Sequence, residues 1–126
     1  PVDAGAGVAR AATNDQTSMN TQAKQMFIRQ KAVQRQVQWS RHALGKLATE
    51  TISVEDVEAA LQQAEIIEDY PHLHRYLPDC LVLIYTASVV PIHCVVAINQ
   101  PADYVLMVTV YRPSDKEWND DVRTRK

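Results

Sequence analysis

The chain changes period part-way along, from apolar positions spaced for a helix to apolar positions that alternate or run together. Lys24–Gln38 carries Met26, Phe27, Val33 and Val37 among Gln and cationic residues, which makes a helix with a thin apolar stripe. Val33–Trp39 also alternates apolar with polar, so a strand near Val33–Trp39 competes for the same residues. Ser40 reads as an N-cap, and Leu44, Leu47 and Ala48 form the buried stripe of a short helix to about Thr49. Gly45 within it costs about 1 kcal/mol against Ala, so this helix needs tertiary support. Ser53 is a second N-cap, with Asp56 three residues on and Ile52 and Val57 at the positions of a hydrophobic staple. Val54, Val57, Leu61 and Ala64 hold the helical spacing, and Tyr70-Pro71 closes the segment. Joined through Thr49–Ser53, the two helices make an αα-hairpin.

Three later runs read as strands: Cys80–Thr86, Ile92–Ile98 and Tyr104–Tyr111. Their short linkers carry Pro, Ser, Asn and Asp, which joins them as antiparallel neighbours. Arg112-Pro113 stops the last strand, and Trp118–Arg125 forms a terminal turn or short helix. The predicted class is α+β: an N-terminal αα-hairpin packed on an antiparallel sheet of three to four strands. Residues 1–20 are Ala/Gly-rich and then Thr/Asn/Ser-rich, with no apolar period, and are expected to be a flexible tail. Met19 is a candidate natural start, with Pro1–Ser18 an upstream addition; residues 21–126 are expected to form a single domain.

A composition of 46% hydrophobic and 22% charged residues excludes collagen-like, mucin-like and wholly disordered chains. The longest apolar runs, such as Leu81–Tyr85 and Cys94–Ile98, are too short to span a bilayer, and no secretory signal opens the chain. A net charge of −2 speaks against a globally basic nucleic-acid binder. The charge is segregated, however. Gln16–Thr49 holds Lys24, Arg29, Lys31, Arg35, Arg41 and Lys46 and no acid. Glu50–Asp69 holds Glu50, Glu55, Asp56, Glu58, Glu65, Glu68 and Asp69 and no Lys or Arg, and Arg123, Arg125 and Lys126 close the chain. Either these are solvated faces, or they make a local field that a total near zero conceals. An RNA-facing surface would then centre on Lys24–Lys46, with the Arg123–Lys126 tail.

Candidate chemistry sits on the second and third predicted strands. If Ile98 pairs with Tyr104, His93 lies across from Thr109 with Tyr111 one step diagonal, a polar patch on an otherwise apolar sheet. The bland alternative is a hydrogen-bonded structural His beside two good strand formers. His42 is the other candidate. Near the start of its helix, the positive helix end favours a neutral imidazole able to accept a proton. Lys46 follows four residues later on the same face, so the two offer a base and a phosphate-binding cation, or simply an exposed polar helix start. His72, His74, Asp69, Asp79 and Cys80 lie close in sequence, but two further ligands at a recognised zinc spacing are missing, so no metal or cofactor is expected. A two-residue turn at Ala87-Ser88 puts Cys80 on the face of His93 and Cys94 on the other, so no disulfide is expected and a reducing, cytoplasmic setting fits. Three glycines and no Gly-rich phosphate loop exclude common nucleotide-loop enzymes.

The order of motifs resembles a known family. Trp39-Ser40-Arg41-His42-Ala43-Leu44, Ile52-Ser53 with Glu55-Asp56-Val57, and Ala64–Pro71 form its first half. Cys80–Leu83, Pro91–Ala97 and Val108-Thr109-Val110-Tyr111-Arg112-Pro113 complete it. The chain from about Val37 to Trp118 resembles a bacterial family of domains of unknown function, of a Ser-x-His-Ala … Val-Tyr-x-Pro type, grouped with RelE/HigB-like toxin ribonuclease folds. The resemblance implies helices on a curled antiparallel sheet and RNA as a candidate substrate, and it singles out His42, His93, Thr109 and Tyr111. Members of that family often have Arg where Lys46 stands and Arg-Gly where Glu50-Thr51 stand. Lys keeps the charge but loses the bidentate fork, and Glu50 reverses a charge.

Two functions follow as expectations. The first is a toxin-type, metal-independent endoribonuclease, with His42 and His93 as base and acid, Lys46 and Arg112 on phosphate, and Thr109 or Tyr111 positioning it. Its partners would be RNA or the ribosome and a cognate antitoxin-like protein, with no membrane. The second is a non-catalytic binding or assembly module of the same fold, possible as a homodimer.

Overall fold

A computed structural model describes residues 19–70 and 77–126. The elements run α1 (Thr21–Val33), β1 (Val37–Trp39), α2 (Arg41–Glu50), α3 (Val54–Ala60), a 3-10 turn (Leu61–Gln63), β2 (Glu65–Tyr70), β3 (Asp79–Tyr85), β4 (Pro91–Asn99) and β5 (Tyr104–Tyr111). Five strands form one sheet in the order β1-β5-β4-β3-β2. The α+β class holds, but the sheet exceeds the expected three to four strands and is mixed, because β1 lies parallel to β5. Both readings of Lys24–Gln38 contribute. The helix ends at Val33, Arg35 takes a left-handed φ of 60°, and the alternating residues that follow make β1.

Three helix caps behave alike, the two predicted at Ser40 and Ser53 and a third at Asn20, within the expected tail. Asn20, Ser40 and Ser53 each accept a hydrogen bond from the backbone N–H three residues on, at 2.8, 2.9 and 3.0 Å. Asn20 therefore belongs to the fold, and Met19 packs against the core; the rest of the expected tail lies outside the described residues. The helix expected to run to Tyr70 stops early instead. Leu61 and Ala64 bury in the core, Ala64 turns extended, and Glu65–Tyr70 pairs with β3. Two α1 side chains hold the departing backbone: Arg29 Nε donates to the Ala64 carbonyl, and Gln25 Oε1 accepts from Ile66 N–H. The β-branched pair Ile66-Ile67 suits this strand, and its partners come from remote chain.

One face of the sheet carries Cys80, Val82, Ile84, Ile92, Cys94, Val96, Ile98, Val105, Met107 and Val110, packed against Ile28, Ala32, Ala43, Leu47, Val57 and Leu61 of the helical layer. Both cysteines sit on this face, which corrects the expected split. The β3–β4 loop is Thr86–Val90 rather than a two-residue turn, and Tyr85 pairs with Pro91, so the register moves by one and Cys80 changes sides. Both thiols are free, and burial raises them, Cys80 to about 12. The opposite face is also covered. Leu81, Leu83, His93 and Ala97 are buried there, and a small hairpin made by residues 114–126 lies over His93. The expected terminal turn at Trp118–Arg125 is this hairpin, closed by a Trp118–Arg125 bridge, and it contains no helix.

Candidate functional site

The site residues sort along β5. The register is one residue off the expected one, with Ile98 opposite Val105. It then shifts again at a bulge between Val95 and Val96, where Val108 on β5 has no partner on β4. His93 thus faces Tyr111 directly and Thr109 faces Val95, so the predicted His93–Thr109 pair does not form. The bulge serves the helix beside it. Ser40 Oγ donates to the Val108 carbonyl at 2.9 Å while accepting from Ala43 N–H, and Ser40 N–H donates to the Met107 carbonyl. One serine caps α2 and fixes the start of that helix to the sheet edge where β1 ends.

From that anchored first turn His42 Nε2 shares a 3.0 Å hydrogen bond with Thr109 Oγ1, in the open. Lys46 stands one turn on and makes no ion pair among the described residues, as does exposed Arg41. Arg112 is less available. Its guanidinium donates to the Glu50 carbonyl at 2.9 Å and pairs with the Glu50 carboxylate at 3.3 Å. Glu50 is therefore locally partnered. Thr51 next to it holds φ 58°, ψ 51°, the left-handed conformation that suits Gly.

His93 lies two residues away along the strand ladder and is fully covered. Its Nε2–H donates to the Val122 carbonyl at 2.8 Å, so in the neutral ring Nδ1 accepts from Tyr111 Oη at 3.2 Å. Trp118 meets the ring edge-on at 4.4 Å between centroids, and Tyr111 at 5.2 Å. Burial pushes the His93 imidazole below its ordinary value, against the opposing pull of the Val122 bond and Glu68; burial raises the Tyr111 phenol. Around this cover, Arg123 forks onto Glu65 and Arg125 onto Glu68, while Arg125 also stacks over Trp118 at 4.5 Å. The bond from Arg125 holds Glu68 below its usual carboxylate range, although burial opposes it.

These pairs redraw the charge map. Lys24 binds Asp69, Lys31 binds Asp103 and Gln34, and Arg29 holds a backbone carbonyl. Burial works to raise Asp69, but Lys24 and Thr21 outweigh it and keep the carboxyl low. Lys24 of the basic block and Arg123 and Arg125 of the tail thus neutralise the acids of β2, while Lys31 and Arg29 are held elsewhere. The unpaired basic surface near the site contracts to Arg41 and Lys46. Trp118, Val122, Glu65 and Glu68 are the residues the sequence did not single out here, and Arg123 and Arg125, expected on an RNA-facing surface, grip carboxylates instead; the opposed charge blocks were the available signal. Among the described residues, no group of three or more His, Cys, Asp or Glu is placed to hold a metal ion. His72 and His74 lie outside those residues. No helix of the described chain is long and apolar enough to cross a membrane.

The profile of a family described as a domain of unknown function (DUF4258) matches residues 39–112, which run from the last residue of β1 to the residue after β5. No curated protein matches the chain, and no solved structure does.

Proposed function

The chain belongs to this DUF4258 family, and on that premise we propose that it is a RelE/HigB-like, RNA-binding domain with a metal-independent endoribonuclease centre at His42. The observation that carries the reading is the exposed His42–Thr109 bond, with Lys46 one turn on and Arg41 beside it. The helix start is fixed to the sheet by Ser40, so the imidazole is oriented without being buried. His42 takes the proton of a ribose 2′-hydroxyl, and Thr109 orients the ring. The new O2′–phosphorus bond forms as the bond to the 5′-oxygen breaks, and solvent protonates the leaving oxygen. The products are a 2′,3′-cyclic phosphate and a 5′-hydroxyl. Lys46 and Arg41 hold the phosphate charge. The substrate is cytoplasmic RNA, and an antitoxin-like protein is the natural partner.

The test is incubation of RNA with the protein in chelator, with the ends of the products identified. Cyclic phosphate ends that disappear in His42→Ala support the reading. No cleavage by the wild-type protein overturns it. The Arg112–Glu50 pair favours a second reading, a non-catalytic binding module, because it removes one expected phosphate ligand. Salt-dependent RNA binding that Lys46→Ala weakens, without cleavage, selects that module.

A further inference from the structure

Thr109 and Tyr111 are two apart on one extended strand, about 7 Å, and each is bonded to a histidine. One imidazole is open and the other is sealed by the chain's own C-terminal hairpin. We propose that His93 is the second acid/base group of the His42 centre and that residues 114–126 are a removable cover over it, lifted when RNA phosphate competes for Arg123 and Arg125. This rests on the ribonuclease reading of His42.

The hold of the cover is uneven. Trp118 is its one large buried side chain, at 1% exposure. Its other ties to the sheet include the Val122–His93 bond and the Arg123–Glu65 and Arg125–Glu68 pairs, whose side chains are 24–53% exposed. Ion pairs this wet are weak and screened by salt. Val122 is β-branched yet holds φ 53°, the left-handed conformation that turns its carbonyl onto His93. That strain lasts only while the hairpin is seated. The guanidiniums that grip carboxylates in a fork grip phosphate in the same way, so a polyanion is the natural competitor. Once uncovered, His93 meets water and takes up a proton near neutrality. The step then balances within the site. His42 removes the 2′-proton, the O2′–phosphorus bond forms, the bond to the 5′-oxygen breaks, and the proton on His93 passes to that oxygen.

The experiment uses the full chain. Diethylpyrocarbonate labels accessible imidazoles, and peptide mass spectrometry separates His42 from His93. In wild-type protein at low salt, His42 labels and His93 is protected. The double variant Glu65→Gln/Glu68→Gln is expected to label His93 about tenfold faster and to cleave RNA about tenfold faster. Adding His93→Gln removes that gain. Wild-type protein shows the same unmasking as salt rises from about 0.05 to about 0.5 M, which keeps the test independent of how the variant folds. Protection of His93 in both arms overturns the cover. Labelling without a gain in cleavage, or a gain that survives His93→Gln, overturns the catalytic part. A His93-dependent gain that persists in His42→Ala overturns the proposed function of His42 instead.

Discussion

The two histidine pairs on β5 have similar hydrogen-bond lengths and opposite surroundings. His42–Thr109 is held at 3.0 Å in the open by a helix whose start is fixed by Ser40; His93–Tyr111 is held at 3.2 Å inside a shell of Trp118, Val122 and Arg125. At the first, the side chain is placed by backbone anchoring and stays chemically free. At the second, it is placed by packing and both ring nitrogens are occupied. A hydrogen-bonded histidine is therefore not one kind of evidence. Its neighbours decide whether it is open or covered, and here one of each is bonded to strand residues only two apart.

The sharpest way to break this contrast is to remove packing from the covered pair. Trp118→Ala is expected to cost about 3 kcal/mol in a denaturant melt, because a buried indole is lost over His93. A loss under about 1 kcal/mol would mean that the cover contributes little packing. At the open pair the expectations invert. His42→Ala leaves stability within about 0.5 kcal/mol and reduces RNA cleavage about 100-fold, read by melting and by product formation.

A pH series separates the pairs next. The His93 imidazole lies below its ordinary value in the folded chain, so the unfolded chain takes up the proton first as pH falls. Stability from neutral His93 is full above about pH 6.5 and drains as pH drops from there toward the folded-state value. Glu68 is held low and loses its contribution only further down, in the carboxylate range. Melting temperature followed from about pH 8 to about pH 5 is expected to fall, and His93→Gln to flatten that fall. An unchanged slope in His93→Gln assigns the loss to other groups. The smallest effects test the anchoring of α2. A Cβ at Gly45 meets nothing within 4 Å, so Gly45→Ala is expected to stabilise by about 0.5–1 kcal/mol, and Thr51→Gly, relieving a left-handed β-branched residue, by about 1 kcal/mol. Thermal melts of the single variants check both.

What was legible locally is what local chemistry controls. Ser40 and Ser53 announce two helix starts because a cap needs only its own side chain and the next turn of backbone. β3, β4 and β5 were legible from β-branched and aromatic runs. Glu65–Tyr70 was misread because Ala64 continues the helical spacing, while the strand partners and the α1 side chains that redirect the chain are remote in sequence. The His93 patch failed through register. A β4–β5 loop of four residues, Gln100–Asp103, in place of the expected five, and a bulge at Val108 each move pairing by one position, and neither leaves a clear mark in the local pattern.

The sequence by itself determined the α+β class, the caps, the three main strands and the division of charge, since each depends on residue type and short spacing. Tertiary structure decided what those charges and histidines face. It joined the Arg123–Lys126 tail and Lys24 to the acids of β2, brought Thr109 to His42, and laid Trp118 over His93. The physical reason is that burial and pairing are set by neighbours remote in sequence, which only the folded sheet brings together.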